Sequence, residues 1–466
     1  MRIILCLLIC CLPACSMNSA TLGPKWIYSD DTLGNGMRVI TMEDHSAPIV
    51  AIELWYHVGS KDERPDRTGF AHMFEHMMFR GTDRLGPDDH FKYLRRYGGN
   101  VNGYTHFDRT VYVQEVPPNQ VDLTFWLEAE RMANLKINED YFAKEREVVK
   151  EEYRRSITDP PYGEVYIKVL KLAFKKHPYR WTPIGNLDHL NAATSDELQD
   201  FFDTYYVPNN ATLVVVGDVD RKEILAKARR YFGWIPRRPD PPRISVSEPP
   251  ITEPRRLETY DKGPVTLAGI GFHAPGLNHP DRQAMKIFDN ILSGESGRLY
   301  QKLVKKLEIA VEARSIYMPL EQNGLWGIGA VVKPLSDAQK NLTAMLEVIE
   351  DIKQNGISAK ELEKARNQVA KSAVLAMATN SGKARRLGTA AVLQGNIDQV
   401  NKNYAELMSV TADDIQRIAN TYLDQNSRFE IIIRPQLSQL SKVLDIFKPK
   451  KKKQSDATTK PAETKK

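Results

Sequence analysis

Hydrophobic and polar residues follow two different periods along the first half of the chain. Short alternating or continuous apolar runs predict β-strands, and these lie at Met37–Met42, Ile49–His57, Val101–Thr105, Thr110–Val116 and Ala211–Val216. Apolar residues three and four positions apart predict amphipathic helices, which lie at Thr68–Arg80, Gln120–Leu135 and Glu139–Ser156. Strands and helices mixed in this way predict an α+β fold.

The second half of the chain repeats the first. Residues Thr194–Tyr205 align without gaps with Thr411–Tyr422 at an offset of 217, and an apolar strand follows each segment. A further match pairs the segment that begins at Ile137 with the one that begins at Ile357. Two gapless matches at nearly the same offset argue against chance similarity between helices. We therefore predict two homologous α+β domains, each a sheet, antiparallel or mixed, packed with helices.

A proline-rich segment separates the two halves. Residues 236–254 contain seven prolines in nineteen positions, a composition typical of a semi-rigid linker. The predicted domain boundaries are therefore 21–235 for the first domain and 255–437 for the second.

The last residues, 438–466, form a basic tail that we predict to be disordered. Between residues 448 and 466 there are eight lysines and two carboxylates, which account for the whole formal charge of +6. Residues 448–466 also lack apolar periodicity. The rest of the chain is close to neutral, which argues against a nucleic-acid-binding protein. The tail serves either to keep the protein soluble or to contact an anionic surface or partner.

The N-terminus has the features of an export signal. All four cysteines lie in the first fifteen residues, so disulfides and thiolate metal sites are excluded from the rest of the chain. Arg2 followed by the apolar run Ile3–Leu12 is typical of a secretory signal peptide, which we place at residues 1–20. Leu12-Pro13-Ala14-Cys15 resembles a bacterial lipobox with Cys15 as the lipidated residue, and ordinary cleavage after Ala20 is the alternative. We expect export to the bacterial periplasm, either soluble or anchored to a membrane by lipid.

The helix predicted at 68–80 carries the strongest chemical signal, His72-Met73-Phe74-Glu75-His76. Histidines four residues apart lie on one face of a helix, so His72 and His76 can bind one Zn²⁺ ion. Glu75 lies between them on the same side. Zinc lowers the pKa of a bound water to about 7, and a neighbouring carboxylate can accept its proton as general base. The order His-x-x-Glu-His reverses the commoner His-Glu-x-x-His. A helix that carries two histidines by coincidence is the alternative.

A second segment, Glu145-Arg-Glu-Val-Val-Lys-Glu-Glu152, is similar to the Glu-Arg-x-Val-x-x-x-Glu helix of the pitrilysin/insulinase family of zinc peptidases. This segment and the reversed motif His-x-x-Glu-His together make the chain resemble that family. The resemblance implies one zinc ion per chain, with Glu152, 76 residues after His76, as the third protein ligand. It also implies that Glu145 supports a ligand without binding the metal. Glu151 is one helical position away, so only one of Glu151 and Glu152 can face the zinc.

The resemblance extends to the segment Asn102-Gly103-Tyr104-Thr105 and the residues that follow it. In the family, a similar strand lies at a sheet edge and pairs with the substrate backbone. The resemblance therefore implies that Asn102, Gly103 and Tyr104 bind substrate. Gly103 stands where the family pattern has alanine, and packing within the sheet is the alternative role for Tyr104.

The second half lacks the metal-binding residues, since Lys286 stands opposite His72 and Ser372 opposite Glu152 in the repeat. Family members that act alone carry an arginine and a tyrosine there, and this chain has Val304 and Val311 instead. The resemblance thus implies a homologous partner chain that bears the Arg/Tyr pair. We expect a zinc-dependent endopeptidase for peptides or extended polypeptides, acting as the metal-bearing chain of a heterodimer. A non-catalytic assembly subunit or a peptide-binding subunit is the alternative.

Overall fold

The structure, a computed structural model, describes residues 25–436. It contains two sheets, each packed with helices, as the sequence predicts. The predicted signal peptide and the predicted basic tail lie outside the described residues. Within the described range, no helix has both the length and the apolar character that a membrane span requires.

The first half contains six strands and eight helices among the described residues. The strands are β1 (Ser29–Thr32), β2 (Arg38–Glu43), β3 (Val50–Tyr56), β4 (Asn100–Thr105), β5 (Thr110–Val116) and β6 (Ala211–Gly217). The helices are α1 (Phe70–Met77), α2 (Asp89–Arg96), α3 (Val121–Asn134), α4 (Glu139–Tyr153), α5 (Val165–Ala173), α6 (Leu187–Ala192), α7 (Ser195–Tyr205) and α8 (Arg221–Phe232). The strand order is β1-β2-β6-β3-β5-β4, and the β2–β6 pair is parallel, so the sheet is mixed.

The second half contains five strands and seven helices in the described range. The strands are β7 (Arg255–Asp261), β8 (Leu267–Ala274), β9 (Ala310–Pro319), β10 (Gly324–Val332) and β11 (Arg428–Pro435). The helices are α9 (Arg282–Leu292), α10 (Arg298–Tyr300), α11 (Ala338–Asn355), α12 (Ala359–Leu375), α13 (Asn380–Gly388), α14 (Gln399–Ser409) and α15 (Ala412–Tyr422). The order β7-β11-β8-β10-β9 reproduces the first sheet without β1, including its parallel pair.

The repeated helices α7 and α15 begin in the same way. Thr194 accepts a hydrogen bond from the backbone N–H of Glu197, and Thr411 accepts one from Asp414. In both helices the acidic side chain accepts a hydrogen bond from the backbone N–H of the threonine. These reciprocal bonds satisfy amide groups that the first turn of a helix leaves free. The sequence match at an offset of 217 therefore corresponds to a repeated structural unit.

Each sheet packs one face against helices of its own half, and the main cores lie there. The opposite face of each sheet receives a helix from the other half. Ala384 and Leu387 of α13 pack with Trp55 of β3, and Leu170 of α5 packs with Phe429 of β11. Helices α5 and α13 occupy equivalent places in the repeat, so the two halves exchange the same element.

The proline-rich segment 236–254 contains no helix or strand. Glu248 within it accepts hydrogen bonds from the backbone N–H groups of Lys175, Lys176 and His177. The segment is therefore attached to the first half over part of its length. Its role as a linker between two domains stays a prediction.

Candidate metal centre

Helix α1 is fixed at both ends by buried side chains. The carboxylate of Glu63 accepts hydrogen bonds from the backbone N–H groups of Gly69, at 2.9 Å, and Ala71, at 2.8 Å. Both N–H groups lie at the first turn of α1, where they have no partner within the helix. The Tyr112 hydroxyl donates to the carbonyl oxygen of Phe74 at 3.1 Å. The sheet and the preceding loop thus set the position of the helix that carries the histidines.

Three predicted ligands converge where α1 meets α4. The Oε2 atom of Glu152 lies 3.6 Å from Nε2 of His72 and 3.3 Å from Nε2 of His76. Ligands held about 2.0–2.1 Å from a tetrahedral zinc ion lie about 3.3 Å from each other. The Glu152 oxygen therefore lies at nearly this spacing from both histidines, and all three ligand atoms lie within 4.8 Å of one another, so the residues fit this ion. Among residues 25–436, no other group of three possible ligands comes together in this way.

The two histidines differ in their electrostatic surroundings. Burial, together with the neighbouring His76 ring, lowers the pKa of His72 to about 4. Its ring is therefore neutral at pH 7 and free to donate a lone pair. Burial alone would also lower the pKa of His76, but the carboxylates of Glu145 and Glu152 raise it to about 9. A cation bound here would displace the His76 proton, since metal ligands must be deprotonated.

Glu75 faces the same space and is held by the edge strand. The Thr105 hydroxyl donates to Oε2 of Glu75 at 2.8 Å. A Cβ atom at Gly103 would come within 3.0 Å of the Glu75 side chain, so the strand passes close to it. Burial raises the pKa of Glu75 above its usual value, which makes the carboxylate a better proton acceptor. Thr105 was not among the predicted site residues, although it shares the strand face of Gly103.

Glu145 lies behind His76, as its position seven residues before Glu152 predicts. Its Oε2 atom is 3.4 Å from Nδ1 of His76, and its Oε1 atom is 2.6 Å from Nε of Arg80. The Glu145 side chain is 2% exposed. Arg80 is a further contributor that the sequence reasoning missed; it stands four residues after His76, just beyond the end of α1.

Glu151 points away from the three ligands. Its carboxylate forms ion pairs with Arg154, at 2.8 Å, and Arg155, at 2.9 Å, on the solvent-exposed side of α4. The rotation of about 100° between neighbouring helical residues separates it from Glu152. The geometry therefore agrees with the choice of Glu152 over Glu151.

The predicted substrate strand is β4, and it lies at the end of the first sheet. Its residues alternate between the two faces. Gly103 lies on the face of Glu75, whereas Asn102 is exposed and Tyr104 packs on the opposite face near Trp55. Of the three predicted substrate-binding residues, only Gly103 is on the face of the histidines.

The equivalent site in the second half has a different arrangement. Asp289 of α9, in the place of Glu75, accepts a hydrogen bond from Nε1 of Trp326 at 3.0 Å. Val304 packs against the core of this half, and Val311 is exposed on β9. Neither valine offers a hydrogen-bonding side chain.

Comparison with known proteins identifies the family. The family model of insulinase, peptidase family M16, matches residues 38–180, and the model of the peptidase M16 inactive domain matches residues 192–369. The chain belongs to the M16 family, the pitrilysin/insulinase peptidases. The inactive-domain model covers the end of the first half and much of the second, where other residues stand in place of the predicted metal ligands.

Relatives in the M16 family match this chain over most of its length. Zinc protease PqqE of Helicobacter pylori is 28% identical over 90% of this chain and 95% of its own length. An Arabidopsis thaliana protein described as a probable mitochondrial-processing peptidase subunit beta is 25% identical over 84% of this chain and 75% of its own.

Solved structures agree with this fold. The crystal structure of a protease from Helicobacter pylori superposes with a TM-score of 0.85 at 27% identity, over 88% of this chain and all of that one. A peptidase M16 inactive domain from Pseudomonas fluorescens superposes with a TM-score of 0.80 at 18% identity, over 88% of this chain and 98% of that one. At that lower identity the second likeness concerns the fold alone.

Proposed function

We propose that this chain is a zinc-dependent endopeptidase, with His72, His76 and Glu152 as metal ligands and Glu75 as general base. The convergence of the three ligand atoms, which lie within 4.8 Å of one another, carries the proposal. Three protein ligands leave a fourth position open, as catalytic zinc sites require. The relatives named zinc proteases support the same chemistry.

Zinc bound here would polarise the scissile carbonyl and make a water acidic enough to lose a proton near neutral pH. Glu75 accepts that proton, and the hydrogen bond from Thr105 keeps its carboxylate directed at the site. Glu145 holds the His76 ring in orientation from the opposite side. The edge of β4 supplies backbone groups that can align an extended peptide as an added strand.

The general base is tested with Glu75→Gln, which keeps the shape of the side chain and removes its basicity. The variant should retain zinc and bind peptides but cleave a quenched peptide at least about a hundredfold more slowly, the usual effect of losing a general base. Near-normal turnover would remove Glu75 from the mechanism. Zinc retention with no cleavage by the parent protein, with or without a homologous partner chain, would favour a peptide-binding subunit.

The metal ligands are tested with a matched pair on α4. Glu152→Gln should lose most of its zinc on dialysis, whereas Glu151→Gln should keep about one zinc per chain. Both substitutions remove one negative charge from neighbouring positions of one helix, so a purely electrostatic effect would be similar in the two. The opposite result would show that Glu151 is the ligand.

We also propose that productive cleavage requires a homologous partner chain. Substrate must be held in register over the metal, and Val304 and Val311 cannot supply the charge and hydrogen bonds that the resemblance assigns to an Arg/Tyr pair. The isolated chain should bind zinc and cleave unstructured peptides poorly. A homologous chain with the pair should form a heterodimer with it and raise activity. Full activity of the isolated chain, unchanged by that partner, would refute this proposal.

Export to the bacterial periplasm is a further proposal and rests on the sequence of residues 1–20. Mass spectrometry of the native mature N-terminus distinguishes the outcomes. A lipidated Cys15 or an unmodified start near Thr21 would support export, and an intact Met1 would refute it.

A further inference from the structure

Two arginines lie close to the ring of Tyr104, a residue of β4. The guanidinium of Arg109 lies 5.7 Å from the centre of the Tyr104 ring and 5.3 Å from that of Trp55. The guanidinium of Arg385, on α13, lies 5.4 Å from the Tyr104 ring. Among residues 25–436, neither arginine forms a salt bridge. We call Tyr104, Trp55, Arg109, Arg385 and the neighbouring Glu53 the Tyr104 cluster.

The buried carboxylate of Glu53 is poorly suited to neutralise the charges of both arginines. Glu53 lies on β3 beneath the cluster and accepts a hydrogen bond from Nε1 of Trp55 at 2.8 Å. Burial raises the pKa of Glu53 to about 7, although Trp55, Arg385 and Arg109 oppose the shift. At neutral pH the acid is only partly ionised, so the Tyr104 cluster keeps a net positive charge.

Three polar atoms of the cluster are buried and form no well-aligned hydrogen bond among the described residues. They are Oε1 of Glu53, the hydroxyl of Tyr104 and Nε of Arg109, although the Arg109 side chain lies close enough to the Tyr104 hydroxyl to interact with it. Buried polar atoms in proteins nearly always have a partner. Three such atoms in one cluster, next to the exposed Arg385, indicate a place where a polar group from another molecule binds.

The cluster lies where a peptide on β4 would project half of its side chains. Strand β4 is the last strand of its sheet, so its outer edge is unpaired within residues 25–436. Gly103 and Thr105 lie on the face of Glu75, and Tyr104 lies on the other. A strand added at this edge brings alternate side chains to about 4.5–5.5 Å, Cβ to Cβ, from their neighbours on β4. Those on the face of Tyr104 would approach the exposed guanidinium of Arg385. Arg109 also contacts Trp55 of β3, so it lies further from the edge and adds its charge at longer range.

We propose that the Tyr104 cluster is a subsite that selects substrate side chains bearing a carboxylate, Asp or Glu, at alternate positions of the bound peptide. The inference rests on the proposed function, because it requires substrate to bind along β4. Arg385 is a specificity-determining residue in this scheme, and it takes no part in the chemistry at the metal. Substrates with Lys or Arg at these positions are disfavoured by charge repulsion.

Fluorescein-labelled unstructured decapeptides test the proposal by anisotropy. Each carries Glu, Gln or Lys at one of the central positions, and the zinc-loaded full chain carries Glu75→Gln to prevent turnover. At alternate positions Glu should bind about fivefold more tightly than Gln, the upper range for a partly exposed ion pair. Adding Arg385→Glu should reverse this order and favour Lys. Arg229→Glu, an exposed arginine on α8, is the matched control and should leave the order unchanged.

The outcomes separate the subsite from the proposed function. Equal binding of the three series at every position, or a Glu preference that persists in Arg385→Glu, would overturn the subsite. A reversed preference without cleavage of any peptide by the parent, with or without the partner, would support the subsite and refute the peptidase activity. Failure to bind any peptide would overturn both.

Discussion

Removing the negative charge of Glu145 should weaken zinc binding although this residue does not touch the metal position. Its carboxylate lies 3.4 Å from Nδ1 of His76 and 2.6 Å from Nε of Arg80, and the side chain is 2% exposed. Glu145→Gln keeps the volume of the side chain. It removes the anion that orients the His76 ring and increases its basicity, and it leaves Arg80 without its buried counter-ion.

The expected size of the effect follows from these contacts. Losing the group that supports a metal-binding histidine typically costs about 10- to 100-fold in metal affinity, which is about 1.4–2.7 kcal/mol. Because Glu145 is buried, solvent screening reduces this little. Glu139→Gln on the same helix is the control, since the Glu139 side chain is 59% exposed and, among residues 25–436, forms a salt bridge only with Arg146. An exposed pair of this kind contributes at most about 1 kcal/mol to stability, and it has no contact with the histidines.

Zinc affinity is measured by competition with a chromophoric chelator, and thermal stability of the zinc-free protein is measured in parallel. Glu145→Gln should raise the zinc Kd by at least about tenfold, and Glu139→Gln should leave it unchanged. An unchanged Kd for Glu145→Gln, with lower thermal stability, would refute the reasoning. Glu145 would then support only the packing of α1 on α4.

Three further predictions concern stability. Gly388→Ala would place a Cβ atom 2.2 Å from the Trp55 ring and should lower the free energy of unfolding in urea by about 1–3 kcal/mol; Gly34→Ala, with no atom within 4 Å, should lose none. Burial raises the pKa of Glu53 from 4.5 to about 7, so its neutral form stabilises the fold at low pH and this contribution is lost as the pH rises through 7. In urea denaturation at pH 8, Glu53→Gln should be more stable than the parent by at most about 3 kcal/mol. Near pH 4 the two proteins should have equal stability. Glu63→Ala leaves two buried N–H groups of α1 unpaired and should cost about 1–2 kcal/mol in thermal unfolding; an unchanged melting temperature would contradict this role.

Local patterns predicted the helices and strands that carry the candidate metal site. The spacing of His72 and His76 places them on one helix face, and the period of α4 distinguishes Glu152 from Glu151. These relations depend on residues within one or two turns of a helix, so a single sequence contains them. The alternation of a strand would likewise have placed Thr105 with Gly103, on the face of Glu75.

The contacts between distant segments could not be predicted in the same way. All seven residues of β3 are buried, and an apolar run interrupted only by Glu53 predicts that both faces of the strand are covered. The run does not indicate which element covers each face. The face that carries Trp55 is covered by helix α13 of the other half, more than 300 residues later in the chain. The same packing places Arg385 next to Tyr104, so the Tyr104 cluster could not be predicted from the sequence.

The exchange of α5 and α13 between the halves has the geometry of a domain-swapped dimer joined into one chain. Trp55 would lose its cover if α13 were absent, and Phe429 would lose its cover without α5. Each half therefore depends on the other to cover these side chains, although each has its own sheet and core. A protein with only one such unit would expose both surfaces unless a second copy covered them.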